Sequence, residues 1–160
     1  MQVTFFGVRG SCPSPGPEFV KYGGNTACVH VCLDDGTDII LDAGTGIKNL
    51  GNKLIQQSND IHILLTHNHW DHIQGFPFFA PIYQPNRNIF ITPGQITFDD
   101  DNAILKQMSG STFPVEYKTL PSNIQIIPQP KDVKEWQIGN AKISRLAMNH
   151  PGSGSSFCIE

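Results

Sequence analysis

The chain is 160 residues long, with a formal net charge of −3, 39% hydrophobic and 16% charged residues. Those values fit an ordinary globular protein with its own core. The slightly acidic balance, with no run of Lys and Arg, argues against an extended nucleic-acid surface, and no apolar stretch is long enough to cross a bilayer, so no membrane partner is expected.

Gln2 to Val8, rich in β-branched and aromatic residues, predicts a first strand. Residues 10 to 24 carry the Gly and Pro of an irregular loop, which composition alone reads as a connector. Thr26 to Leu33 and Asp38 to Leu41 predict two strands joined by an Asp-Gly hairpin turn. Asp42 closes the second strand; taken alone it is as easily a turn-former or helix cap as anything else. Ile47, Leu50, Leu54 and Ile55 fall at helical spacing between Thr45 and about Gln57, which predicts a helix covering one face of a sheet.

Ile61 to Thr66 predicts a buried strand. It empties into His67, His69, Asp71 and His72. Side chains alternate along extended chain, so His67 and His69 can point the same way and share a cation, while Asp71 and His72 follow a turn and aim at a second point nearby. A surface histidine cluster would not trail a buried strand.

Ile73 to Tyr83 is strongly apolar and predicts a core-facing helix or turn. Asn88 to Thr92 predicts a strand, and Phe98 to Met108 a helix whose Asp99, Asp100 and Asp101 read as helix-start charges. Residues 111 to 122 read as irregular. Asn123 to Ile127 predicts a strand, and Glu135 to Ile138 pairs with Ala141 to Met148 through a Gly-Asn turn. That last strand delivers Asn149 and His150 at its end. His30 and His62 lie within strands, where packing roles are expected. The four cysteines, Cys12, Cys28, Cys32 and Cys158, lack Cys-x-x-Cys spacing, and Cys28 and Cys32 stand too far apart along one strand to bridge, so a reduced, cytoplasmic protein is the simplest account.

The run His67-Asn68-His69-Trp70-Asp71-His72 resembles the His-x-His-x-Asp-His signature of the metallo-β-lactamase superfamily. Phe5 to Ser11, Tyr22 to Thr26, Leu41 to Gly46 and Asn149 to Gly152 extend the likeness towards the phosphodiesterase branch that includes ribonuclease Z and cyclic-nucleotide phosphodiesterases. The resemblance implies an α/β chain folded as an αββα sandwich. His67, His69 and His150 would ligate a first metal, Asp71 and His72 would serve a second, and Asp71 would also orient the nucleophile. Asp42 would support the ligand loop from outside, and Gly23, Gly24 and Asn25 would lie beside the metals and admit a substrate close to the main chain. Imidazole and carboxylate donors suit Zn²⁺ and accept Mn or Fe, and three protein ligands with a vacancy mark a catalytic site.

Family members carry a further bridging Asp and a last His beyond the counterpart of His150, and Ser155 to Glu160 reads as a strand broken off. The expectation is one domain over residues 1–160, the N-terminal portion only of the sandwich and incomplete at its C-terminus. The activity expected is metal-dependent hydrolysis of a small phosphodiester substrate such as a cyclic nucleotide. The alternative is a silent metal-binding fragment or subunit that covers its missing half by forming a homodimer.

Overall fold

A computed structural model describes residues 1–94 and 102–160. Among the described residues nine strands form two sheets. The first sheet takes its strands in chain order: β1 (Gln2–Gly7), β2 (Cys28–Cys32), β3 (Asp38–Leu41), β4 (Ile61–Leu64), β5 (Asn88–Thr92) and β6 (Asn123–Ile126). The first three are antiparallel and the last three continue parallel to β3. The second sheet is an antiparallel meander of β7 (Glu135–Ile138), β8 (Ala141–Ala147) and β9 (Ser155–Ile159).

Parallel neighbours need a crossover, and α1 (Ile47–Leu54) supplies it between β3 and β4. The central strands are apolar on both faces because both faces are covered. Ile40, Ile63 and Leu65 join Ile47, Leu50, Phe76 and Phe79 on the helical side. Their neighbours Ile39 and Leu64 point the other way and pack with Ile138 and Ile143 of the second sheet. Helix, sheet and sheet therefore stack as three layers, and among the described residues no helix packs on the outer face of the second sheet.

The strand and hairpin expectations hold to within a few residues at each end, while the helices are shorter. α1 spans Ile47–Leu54, and Ile55 is not on its buried face: it ends the helix and is 38% exposed. The segment from Ile73 forms a short helix α2 (Trp70–Ile73) and two 3₁₀ turns, Phe76–Phe78 and Ala80–Tyr83, which bury Phe76, Phe79 and Ile82. Of the helix expected from Phe98 to Met108, α3 (Ala103–Lys106) is described, whereas Asp99, Asp100 and Asp101 lie outside the described residues. All four thiols are free, and burial, followed by the charge of Asp42, pushes that of Cys28 up, so it remains an uncharged small hydrophobe. Among the described residues no helix is long and apolar enough to cross a membrane.

The link after β3 is pressed against α2. The Ala43 amide donates to the His72 carbonyl at 2.7 Å and the Gly75 amide to the Ala43 carbonyl at 2.9 Å. A Cβ on Gly44 would stand 2.4 Å from the Asp71 carbonyl oxygen and 2.5 Å from Thr26 Oγ1, so only glycine fits. Gly44→Ala is therefore expected to destabilise the protein by about 1–3 kcal/mol in urea unfolding. Gly10→Ala, where nothing lies within 4 Å of the added carbon, should stay within about 0.5 kcal/mol of the parent.

Candidate metal centre

The chain leaves β4 still extended, and His69 (φ −60°, ψ 146°) is the last such residue before α2 turns. His67 and His69 consequently sit on the same side, with ring centroids 4.5 Å apart. His150 arrives from the other sheet, beyond β8, on a tight loop in which the Met148 amide donates to the Gly154 carbonyl and the Ser153 amide to the His150 carbonyl. Its ring centroid is 4.4 Å from that of His67 and 4.9 Å from that of His69. One ligand nitrogen from each of the three lies within 4.8 Å of the other two. Nitrogens bound tetrahedrally to a single zinc ion stand about 3.3 Å apart, so small ring rotations would close the set.

Hydrogen bonds behind the rings of His67, His72 and His150 fix which nitrogen each of these presents. Asp42 accepts from the Thr66 amide at 2.8 Å and from the Thr66 hydroxyl at 2.9 Å. A carboxylate only accepts, so the single hydroxyl proton is committed to it. The hydroxyl oxygen must then accept from Nδ1–H of His67, 2.9 Å away, which leaves Nε2 of His67 with its lone pair facing outward. Likewise Nδ1 of His72 donates to Asp42 Oδ2 at 2.8 Å, and Nδ1 of His150 donates to the Pro151 carbonyl at 2.9 Å. Orienting bonds of this kind hold imidazoles in the tautomer that binds cations.

Burial above all, then the neighbouring imidazole of His72, drives the pKa of His67 down to about 4, despite the opposing charge of Asp42. His67 is thus neutral near pH 7. For His72, burial pulls downward, but the hydrogen bond and charge of Asp42, with Asp71 beside them, outweigh it and the pKa is raised.

Asp71 stands next to this group: its Oδ2 lies 3.5 Å from His72 Nε2 and accepts the Ser11 amide at 2.8 Å. Among the described residues Asp71 and His72 make a pair rather than a three-ligand set. The loop of residues 10 to 24 does reach the site, though through Ser11. Gly24 instead presses on its own loop, since a Cβ there would stand 1.7 Å from the Ser14 carbonyl oxygen. Asn25 accepts from the Thr45 hydroxyl at 3.2 Å, and Gly23 adopts φ +83° beside open space. Asp42 caps no helix: α1 begins after Gly46 without a side-chain cap.

Three contributors escaped the sequence reading. Thr66 looked like the end of a strand, yet it links Asp42 to His67. Ser11 and Ser155 act through backbone amides, which leave no residue-type signal; that of Ser155 donates to the Thr66 carbonyl at 2.8 Å and ties the two sheets together at the site. His62 stacks on Phe90, whereas His30 does more than pack, bonding buried Asp38 through Nε2 at 2.7 Å.

Residues 22–159 match the family model of the metallo-beta-lactamase superfamily. The chain belongs to that superfamily. Among solved structures it is similar to the metallo-beta-lactamase fold protein YhfI from Bacillus subtilis (TM-score 0.68, 19% identity, 99% of this chain and 57% of that one). It is also similar to a diphosphatase from the PhnP family (TM-score 0.67, 14% identity, 98% and 61%) and to the MIM-2 metallo-beta-lactamase (TM-score 0.51, 15% identity, 86% and 51%). At these identities the likeness is one of fold. The chain spans 57% of the YhfI structure and 61% of the diphosphatase. No curated protein sequence matches it significantly.

If the Asp42 and Thr66 bonds orient His67, then Thr66→Val, which keeps the shape and removes the hydroxyl, is expected to weaken zinc binding about 10–100-fold in competition with a chromogenic chelator.

Proposed function

We propose that the protein is a metal-dependent hydrolase of phosphodiester bonds in a small substrate such as a cyclic nucleotide. The observation that carries this reading is the convergence of His67, His69 and His150, with ligand atoms within 4.8 Å of one another. When bound there, a divalent ion, zinc by the preference of the donors with manganese or iron also admitted, supplies a Lewis acid and acidifies a coordinated water. His67, His69 and His150 would hold the first ion, and Asp71 with His72 would offer two donors to a second.

Asp71 Oδ2 is held by the Ser11 amide, so Oδ1, without a protein partner among the described residues, is the oxygen able to orient a water by accepting its proton. We take Gly23, Gly24 and Asn25 as the substrate-side wall of the same loop, and Asp42 as a positioning residue. Net charge −3 without a basic stripe favours a small substrate over a long RNA. Four free thiols fit a cytoplasmic setting, and the shared packing fits one domain over residues 1–160.

His67→Ala and Asp71→Ala are each expected to lower kcat/KM on a cyclic nucleotide by at least about a hundredfold, more than loss of an orienting bond would. A chelator should abolish turnover, and added zinc or manganese should restore it. Turnover that survives both substitutions would overturn the assignment.

A second reading, a metal-binding fragment or subunit without activity of its own that self-associates to cover its missing half, is favoured by the surface of β1. Val3 pairs with Val31 and so shares its face, but Val31 is buried between the sheets whereas Val3 is 49% and Phe5 68% exposed. Light scattering decides: this reading requires a dimeric mass that Phe5→Lys reduces to a monomer, together with no hydrolysis.

A further inference from the structure

The loop that touches Asp71 also borders an open cleft of about 380 Å³, lined by Val8, Arg9, Gly10, Glu18, Phe19, Tyr22 and Gly23. This volume falls in the range of small-molecule sites. The cavity is close to the metal centre: Gly10 is one residue, about 3.8 Å along the Cα trace, from Ser11, whose amide binds Asp71.

Its walls combine flat apolar surface with opposite charges. Tyr22 is 73% exposed, so its ring is open to a ligand. The Arg9 guanidinium lies 4.4 Å from the Phe19 ring centroid, and its Nε donates to the Cys12 carbonyl at 2.7 Å. Its terminal nitrogens have no protein acceptor among the described residues. The backbone beneath is fixed, because the Arg9 amide donates to the Asn25 carbonyl at 3.0 Å and Arg9 bridges to Thr26. Glu18 adds a carboxylate to the lining, and Lys21, outside it, holds a second cation with Nζ 5.0 Å from the Tyr22 ring centroid.

We propose that this cavity is the subsite for the nucleobase of the substrate, an inference that rests on the phosphodiesterase reading above. A planar base offers one face to Tyr22 and turns its edge to the Arg9 guanidinium, which rests on Phe19. Guanine is the base whose edge meets both charges: O6 and N7 accept from the guanidinium, and N1–H and the 2-amino group donate to Glu18. Two cations against one carboxylate suit the negative charge of the diester.

The test separates recognition from chemistry. Saturation-transfer NMR with guanosine, which has no phosphate to engage a metal, should show binding to the protein as isolated, and ribose should show none. Tyr22→Ala should raise the guanosine Kd about tenfold, while Tyr22→Phe, which keeps the ring, should match the parent. In turnover, Tyr22→Ala should raise KM for guanosine cyclic phosphate about tenfold at unchanged kcat, and leave 4-nitrophenyl methyl phosphate within about twofold.

No guanosine binding, or binding indifferent to Tyr22→Ala, overturns the subsite even if phosphodiesters are cleaved. Guanosine binding lost in Tyr22→Ala, in a protein that cleaves no phosphodiester, sustains the subsite and overturns the hydrolase reading instead.

Discussion

The carboxylate of Asp42 is the constraint on which the centre depends. It sits at φ 61°, a conformation that most side chains avoid and aspartate tolerates better than most. Holding a non-glycine residue there costs about 1–3 kcal/mol. Three bonds offset that cost: the Thr66 amide, the Thr66 hydroxyl and Nδ1 of His72 all donate to the one carboxylate. Hydrogen bonds to a charged group contribute about 1.5–3 kcal/mol each, so the strained geometry is held. Glycine would relax the backbone but lose the acceptor. The strain and the network have the same cause.

From that point the order spreads through the main chain. The Thr66 side chain faces Asp42 and His67, and its carbonyl accepts the Ser155 amide of the second sheet. His150 comes from far along the sequence, yet it is set by the loop that ends at this same bond. Close packing at Gly44, under the Asp71 carbonyl, fixes α2 from the other side. The three imidazoles thus reach one place through backbone bonds, and side-chain bonds then orient the rings of His67 and His150.

How much of this could be read from residues alone depended on range. The alternation that carries Ile63 and Leu65 to one face and Leu64 to the other is a period-two signal, and it located β4 and the exit of His67. The Asp-Gly and Gly-Asn turns gave the hairpins for the same local reason. Helix ends were less legible, because tertiary packing decides them: Gly51 fits inside α1 since a Cβ there would meet the Ala80 nitrogen at 2.9 Å, and Ile55 lies beyond the buried arc. The role of Thr66 could not be seen, since a hydroxyl closing a strand looks the same whether or not a carboxylate waits opposite. Ser11 was hidden more deeply, as its contribution is an amide that every residue except proline carries.

That amide also couples two tasks that would otherwise be independent. Ser11 stands at φ 65° and donates to Asp71, while its neighbours Arg9 and Gly10 form part of a cavity wall. A group seated in that cavity is therefore registered against Asp71 through one short piece of backbone. The guanidinium of Arg9 bonds the Cys12 carbonyl across Ser11 and stiffens the same turn. Displacing Ser11 would shift the carboxylate and the cavity together, so under the proposed reading this one turn would serve both chemistry and recognition. The irregular Gly- and Pro-rich loop, which composition reads as a connector, is thereby tied to the candidate site at Ser11.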